Sequence, residues 1–164
     1  MASVMRPGGP GVLTGMLSLD ELSAEAEAGT IDTVVTAFTD MQGRLEGKRI
    51  EVGYFLEQVA DHGVEGCNYL LALDMEMDPV PGYEMFNWEK GYGDFGIVPD
   101  VATLRRIPWL DRTALVLCDV VEHDGSPVPV SISASTYMSC SNARSGFSSS
   151  TRIRAVRVSL LISG

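Results

Sequence analysis

The sequence predicts an α+β fold over residues 16–130, in which a small sheet packs against a helix. Three observations predict it: a helix start signal at Ser18, two strand-like segments on either side of a turn at residues 40–43, and a long apolar segment at residues 113–121. With 164 residues, 45% of them hydrophobic, the chain is long enough to bury one core.

The first element is a helix that begins with a capping box. In the sequence Ser18-Leu19-Asp20-Glu21, the serine hydroxyl can accept from the Glu21 amide while the glutamate reaches back to the serine amide. Leu19, Leu22 and Ala26 then share one helical face. Gly29 follows as the residue that ends the helix in a left-handed conformation.

Residues 31–52 predict a β-hairpin. Residues 31–39 are rich in β-branched side chains and predict a buried strand. Asp40-Met41-Gln42-Gly43 has turn composition, with a glycine available for positive φ. Residues 44–52 alternate loosely and are expected to return as the second strand.

The remaining elements follow from periodicity and from glycine and proline positions. Residues 54–62 have apolar side chains at helical spacing and are stopped by Gly63. Residues 113–121 form the strongest strand signal in the chain. The other segments are expected to be a strand at 64–73, a long loop at 78–93 and a short extended stretch at 96–98.

The two ends differ in composition from the middle of the chain. Residues 1–15 contain the run Pro7-Gly8-Gly9-Pro10-Gly11 and are expected to be a disordered leader. Residues 1–130 carry 22 acidic and 8 basic residues, whereas residues 131–164 carry four arginines, 11 serines and no acid. This low-complexity tail is expected to be disordered and unrelated to the domain. It is either a flexible natural tail or, as we favour, the product of a shifted reading frame or a mis-joined end.

Composition also argues against several classes of protein for this chain. A net charge of −10 argues against nucleic-acid binding, which needs clustered Lys and Arg. No apolar stretch approaches the ~20 residues of a membrane span. The three cysteines are far apart, so reduced thiols and a cytoplasmic location are expected.

Four segments, in order, carry a resemblance to the N-terminal β-grasp domain of glutamine synthetases and their γ-glutamyl-amine ligase relatives. Each is weak alone, but their order and spacing across residues 30–130 make the resemblance specific. They are residues 38–48 (FTDMQGRLEGK), residues 62–68 (HGVEGCN), residues 93–100 with 103–109 (GDFGIVPD and TLRRIPW), and residues 114–120 followed by 127–130.

This resemblance implies a β-grasp (ubiquitin-like) sheet and a part in an ATP-dependent glutamate–ammonia or glutamate–amine ligase. In that family, ATP and Mg²⁺ or Mn²⁺ are held by a C-terminal catalytic domain. No acid follows Asp124 and the sequence has no GxxxxGK[ST] phosphate loop, so no cofactor or metal is assigned to this chain. Its expected partner is the catalytic domain of the same or an adjacent subunit, in a homo-oligomer.

The resemblance also implies the site residues. Glu65 matches a family acid that completes the neighbouring subunit's active site and deprotonates the incoming ammonium, with Gly66 and Cys67 in the same substrate loop. Asp94 matches a second signature acid. The alternatives are a solvated strand-end carboxylate for Glu65 and a loop cap for Asp94.

The departures from the family pattern point to a subfamily. The family loop typically has an aromatic residue followed by Asp-Gly-Ser-Ser, whereas this chain has Val-Glu-Gly-Cys-Asn at residues 64–68. The connection to Asp94 is also longer. Both features favour members that join glutamate to amines or polyamines. The long loop carries Tyr83, Phe86 and Trp88, which could line an amine pocket or pack over the sheet edge.

Three polar residues are interpreted as structural. Asp100 is expected to fix the turn after Pro99, His62 to end a helix, and His123 to lie in a turn.

A rival interpretation of the whole chain is a free-standing β-grasp binding module, and a third is an inert truncated product. Neither would make the ligase product.

Overall fold

The computed structural model describes residues 15–82, 89, 91, 93–129, 131 and 134. Its elements, in chain order, are α1 (Leu19–Glu27), β1 (Thr33–Thr39), β2 (Leu45–Glu51), α2 (Val52–Tyr54), a π-helical segment (Phe55–Val59), α3 (Ala60–His62), β3 (Val64–Cys67), a 3₁₀ helix (Asn68–Ala72), β4 (Asp94–Pro99), a 3₁₀ helix (Val101–Thr103), β5 (Arg105–Arg106) and β6 (Thr113–Val121).

One mixed sheet organises the described part of the chain. Its strand order is β2-β1-β6-β4-β3, and β5 pairs with β6 beside this path. The β6 strand runs parallel to β1 and antiparallel to β4 and β5. An N-terminal hairpin, a helix across the sheet and a central last strand parallel to the first are the β-grasp arrangement. The predicted α+β fold is therefore confirmed.

The β1–β2 hairpin forms where the turn composition predicts it. Thr39 pairs with Leu45 at the closed end, and Gly43 has φ of 80°. Asp40 holds the turn, because its Oδ1 accepts from the amides of Gln42 at 3.0 Å and Arg44 at 2.7 Å. An aspartate side chain that replaces missing backbone partners is a common way to fix such a turn.

Helix α1 begins and ends as its sequence predicts. Ser18 Oγ accepts from the Glu21 amide at 3.1 Å, while Glu21 Oε2 accepts from the Ser18 amide at 2.9 Å. Gly29, with φ of 67°, follows the last turn. The helix is tied to β5 by an ion pair of 2.5 Å between Arg106 Nη2 and Glu25 Oε2.

The second helical region starts two residues earlier than predicted, at Val52. Glu51 caps it, because its carboxylate accepts from the amides of Gly53 and Tyr54 at 2.9 and 2.8 Å. These bonds lower the pKa of Glu51. Inside this region the π-helical segment spans Phe55–Val59 and keeps both end side chains in the core.

The strand predicted at residues 64–73 is too long, since β3 ends at Cys67 and a 3₁₀ helix follows. Leu71, Ala72 and Leu73 are all buried. Three consecutive buried side chains do not fit the alternation of a strand with one exposed face. The leucines therefore raise the apolar content of this segment without giving it the period of a strand.

The sheet separates two hydrophobic clusters. The larger lies between the sheet and the helices, and its Phe38 and Phe95 rings meet edge to face at 5.3 Å between centroids. The smaller lies on the opposite face, where Ile107 and Ala134 cover β1 and β6. Ala134 also donates its amide to Asp119 Oδ1 at 2.7 Å.

The predictions for the chain ends lie mostly outside the described residues. Residues 1–14 and 135–164 are not described, so the disordered leader, the unrelated tail and the boundary at residue 130 stay predictions. The same holds for residues 83–88, 90 and 92 of the predicted long loop. None of the described helices combines the length and the apolar character that a membrane crossing needs.

Candidate functional site

Glu65 lies on β3, the strand at one end of the sheet path. Antiparallel pairing with β4 places Glu65 opposite Gly96, and Cys67 opposite Asp94. Within the described residues β3 pairs with β4 alone, so it is the last strand at this end of the sheet path. The structure therefore puts the predicted site residues at an edge of the domain.

The two carboxylates share the outer face of this edge. Phe95 and Ile97 alternate with Asp94 and Gly96 along β4, and both point into the larger core cluster. Glu65 and Asp94 are exposed on the opposite side. They are diagonal neighbours in the β3–β4 register, and such pairs have Cα atoms about 7–8 Å apart. The sequence-predicted acids are thus brought together.

Cys67 and Gly66 take different positions in the same strand. Cys67 is a free, half-buried thiol on the Glu65 side of β3. Gly66 is buried, and a Cβ at this position would meet the Phe95 ring at 2.9 Å and Ile97 Cδ1 at 3.0 Å. Gly66 therefore contributes through its missing side chain, which lets β3 lie close over the core.

Gly63 fixes the entry into β3. Its φ is 72°, and a Cβ would come within 2.6 Å of the Ile97 carbonyl oxygen. An L-residue side chain would meet both a disfavoured backbone conformation and a backbone atom of β4. The glycines at 63 and 66 hold the strand that carries Glu65 against β4.

Two features of the site were missed in the sequence. Gly96 faces Glu65 across the strands, and Val121 Cγ2 takes the space next to Gly96, 2.9 Å from where a Cβ of residue 96 would lie. Asn68 clamps the end of β3, because its amide donates to the Gly93 carbonyl at 2.9 Å and its Oδ1 accepts from the Gly93 amide at 3.1 Å. The only sequence signal was an Asn after a predicted strand, a residue type common at strand ends.

The other singled-out residues are placed away from this edge or are not described. Asp100 caps the 3₁₀ helix at Val101–Thr103 by accepting from the Ala102 amide at 3.1 Å, which confirms its structural role. His62 ends α3, with Nδ1 lying 3.1 Å from the Gln58 carbonyl oxygen. His123 lies in the turn after β6. Tyr83, Phe86 and Trp88 fall outside the described residues.

A second group of charges, absent from the sequence predictions, lies buried at the hairpin. Asp40 and Glu46 are only 1% and 3% exposed, and both contact Arg44. Arg44 Nε lies 2.6 Å from Asp40 Oδ2, while its Nη2 lies 3.4 Å from Glu46 Oε1. We call Asp40, Arg44 and Glu46 the hairpin cluster.

The environment of Glu46 favours its neutral form. Burial, the strongest cause, and the negative charge of Asp40 raise the pKa of this carboxyl, whereas Arg44 lowers it, and the net result is a rise from 4.5 to about 7. Within the described residues, neither oxygen of Glu46 has a hydrogen-bond partner. The register explains the burial, because Glu46 is opposite Phe38 and so faces the larger core.

Comparisons with known proteins agree with the resemblance seen in the sequence. The chain is 56% identical over 115 residues to the γ-glutamylethanolamide synthetase of Streptomyces coelicolor, across 70% of this chain and 25% of that protein. It is 36% identical over 105 residues to the glutamate–isopropylamine ligase of a Pseudomonas species, across 64% of this chain and 23% of that protein. The chain belongs to the glutamine synthetase family.

A third relative, at lower identity, also matches this chain over part of its length. The type-1 glutamine synthetase 2 of Dictyostelium discoideum is 30% identical over 97 residues, across 59% of this chain and 18% of that protein. The chain thus spans about a quarter or less of the length of these relatives. No family model matches it.

The described residues do not form a binding site for the metal ions that the glutamine synthetase family uses. Among them, no group of three or more His, Cys, Asp or Glu side chains is arranged to hold a metal ion. Glu65 and Asp94 are two acids on an exposed face, and the hairpin cluster already has a guanidinium between its carboxylates. These residues do not fit an Mg²⁺ or Mn²⁺ site.

Proposed function

We propose that this domain forms the amine side of the active site in an ATP-dependent glutamate–amine ligase. The catalytic domain that it completes lies in the same or an adjacent subunit of a homo-oligomer. One observation carries the proposal: Glu65 is exposed on the strand at the end of the described sheet, and Gly63 and Gly66 fix the position of that strand. A carboxylate held at a rigid domain edge can reach a site that another domain provides.

In this proposal Glu65 is a general base. An amine enters as a cation, and it must lose a proton before its nitrogen can attack an activated glutamate. The Glu65 carboxylate first pairs with that cation and then accepts the proton.

Asp94 supports the same step by electrostatics. It lies on the Glu65 face of the sheet edge, diagonal to Glu65 in the register. Two carboxylates on one face raise the local concentration of cations, and the effect weakens with salt. Asp94 thereby helps to attract the amine, without contacting the reacting bond.

The proposed substrate is a small primary amine. The relative at 56% identity is named for ethanolamide synthesis and the next for isopropylamine, whereas the relative at 30% identity is named a glutamine synthetase. The Val-Glu-Gly-Cys-Asn sequence at residues 64–68 also departs from the loop of ammonia-using members. Ammonia and polyamines remain the substrates to compare in the assay.

A chimeric enzyme tests this proposal. Residues 16–134 would replace the matching segment of the Streptomyces synthetase, and ADP release would be measured against ethanolamine, isopropylamine, a polyamine and ammonia. In the chimera, Glu65→Gln keeps the side-chain shape but removes the base. We expect amine-dependent turnover to fall by about 10²–10⁴-fold, the usual contribution of a general base.

A matched control separates this effect from a general loss of charge. Glu57→Gln removes an exposed acid from the π-helical segment and should leave turnover unchanged. Unchanged amine KM and turnover in the Glu65→Gln chimera would show that Glu65 is a solvated surface acid. A folded chimera without any activity would instead favour the free-standing binding module.

A further inference from the structure

The hairpin cluster is covered by the chain that follows β3. Two side chains of the β1–β2 turn reach this chain: Gln42 Nε2 donates to the Leu73 carbonyl at 2.8 Å, and Arg44 Nη1 donates to the Met75 carbonyl at 3.3 Å. We call residues 69–80 the covering segment. Its own backbone bonds include that from the Val80 amide to the Ala72 carbonyl at 2.8 Å.

Arg44 links three partners that compete for one guanidinium. It is bonded to the well-paired Asp40, lies 3.4 Å from Glu46 and donates to Met75 of the covering segment. When Glu46 is neutral, the buried charges of Asp40 and Arg44 cancel. When Glu46 ionises, the cluster carries one uncompensated negative charge that water cannot reach, and such a charge is costly.

The charged and titratable groups that face Glu46 act in different directions, since Asp40 disfavours its ionisation whereas Arg44 favours it. Asp40 and Arg44 come from the hairpin, and Tyr69 comes from the 3₁₀ helix of the covering segment. Burial raises the pKa of Tyr69, and the charges of Cys67 and Glu46 raise it further. Tyr69 is therefore neutral near pH 7 and adds no second negative charge beside Glu46.

We propose that the hairpin cluster is a proton-operated latch, which holds the covering segment closed while Glu46 is protonated and releases it when Glu46 ionises. In the closed arrangement water is excluded from the Glu46 carboxylate, and opening lets water solvate its negative charge. It also frees the Arg44 guanidinium from Met75, so that it can turn fully to the carboxylates. The latch determines whether the covering segment, which follows the strand that carries Glu65, is held in place or released. It does not depend on the proposed ligase function.

The closed and open states bind the Glu46 proton differently, which fixes the direction and the pH window. The closed state has a pKa of about 7, whereas an open, solvated Glu46 returns toward 4.5. The opening equilibrium should therefore rise about tenfold per pH unit between these two values and level off above pH 7.

Hydrogen exchange on the purified chain tests the latch. Protection factors of the amides of Asp74, Met77 and Val80, all backbone-bonded, would be measured between pH 5.5 and 7.5 and corrected for intrinsic exchange. We expect about a tenfold or greater loss of protection over this range. In Glu46→Gln, protection should stay high and constant, while Glu57→Gln should behave as the wild type.

Two readouts guard the interpretation. Amides of β6 report global unfolding, so their protection must exceed that of the covering segment for the opening to be local. The ¹³C shift of the Glu46 carboxyl should titrate with its midpoint near pH 7 in the unmodified chain, even if Glu46→Gln does not fold. A pH-independent covering segment, or the same pH dependence in Glu46→Gln, would overturn the latch.

Discussion

Individual side chains in this domain owe their properties to register more than to residue type. Glu46 and Glu51 lie on one strand, five positions apart, yet burial raises the pKa of Glu46 whereas amide hydrogen bonds lower that of Glu51. Cys118 faces the larger core, and burial raises the pKa of its thiol far above the usual range. Cys67, in contrast, is half-buried at the sheet edge.

Glu46 makes global stability depend on pH. Its pKa is raised in the folded state, so its favourable contribution is complete below pH 4.5 and is lost as pH rises through about 7. The difference corresponds to roughly 3 kcal/mol. We expect the free energy of unfolding of the wild type to fall relative to Glu46→Gln between pH 5 and 8, measured by urea denaturation.

The comparison needs a second acid as reference. Glu57→Gln should follow the wild type at each pH, because its carboxylate is exposed. A constant difference between wild type and Glu46→Gln across the range would show that Glu46 ionises as easily in the folded as in the unfolded chain.

Among the elements, β3 depends most on close backbone approach. Gly63 combines positive φ with a backbone atom of β4 directly in the path of a side chain, whereas Gly125 has a similar φ of 81° with open space around it. The pair therefore separates the cost of backbone strain from the cost of displacing a strand.

Alanine substitutions at these two glycines should differ in size. Gly125→Ala should lower the free energy of unfolding by about 1–2 kcal/mol, the cost of a strained backbone. Gly63→Ala should cost about 3 kcal/mol or more, since Ile97 must also move. Urea unfolding followed by circular dichroism measures both, and equal losses would mean that β3 shifts freely.

Sequence patterns predicted the elements whose signals are local. The capping box at Ser18, the turn at residues 40–43 and the apolar strand at 113–121 each depend on neighbouring residues. The end of β3 was wrong, because an apolar run does not show whether its side chains alternate. Glu46 was missed because a charged strand resembles a solvated one until its partner Phe38 is known.

The site was predictable only in part. Glu65 and Asp94 were singled out by resemblance, and the register then placed them on one face. Neither the pairing of Glu65 with Gly96 nor the Asn68–Gly93 clamp has a local signal, since both arise from pairing between distant strands. The catalytic role of Glu65 stays a prediction.

At the scale of the whole molecule, the domain covers about a quarter of its relatives and provides one side of a proposed site. We expect the purified 164-residue chain to release no ADP in the presence of ATP, glutamate and an amine. The physical reason is that phosphoryl transfer needs metal and phosphate ligands, which the family resemblance assigns to the separate catalytic domain. The intact Streptomyces synthetase serves as the positive control, and ADP release by the chain that requires both glutamate and amine would contradict this expectation.

The parallel contact between β1 and β6 has a consequence for biosynthesis. Thr33 pairs with Thr113, so β1 cannot complete its pairing before β6, the last described strand, has been synthesised. On the ribosome, the β1–β2 hairpin therefore emerges with one apolar edge uncovered, a state that is slow to resolve and open to wrong pairing. A nascent chain arrested before residue 113 should bind chaperones, and release from them should coincide with the emergence of β6.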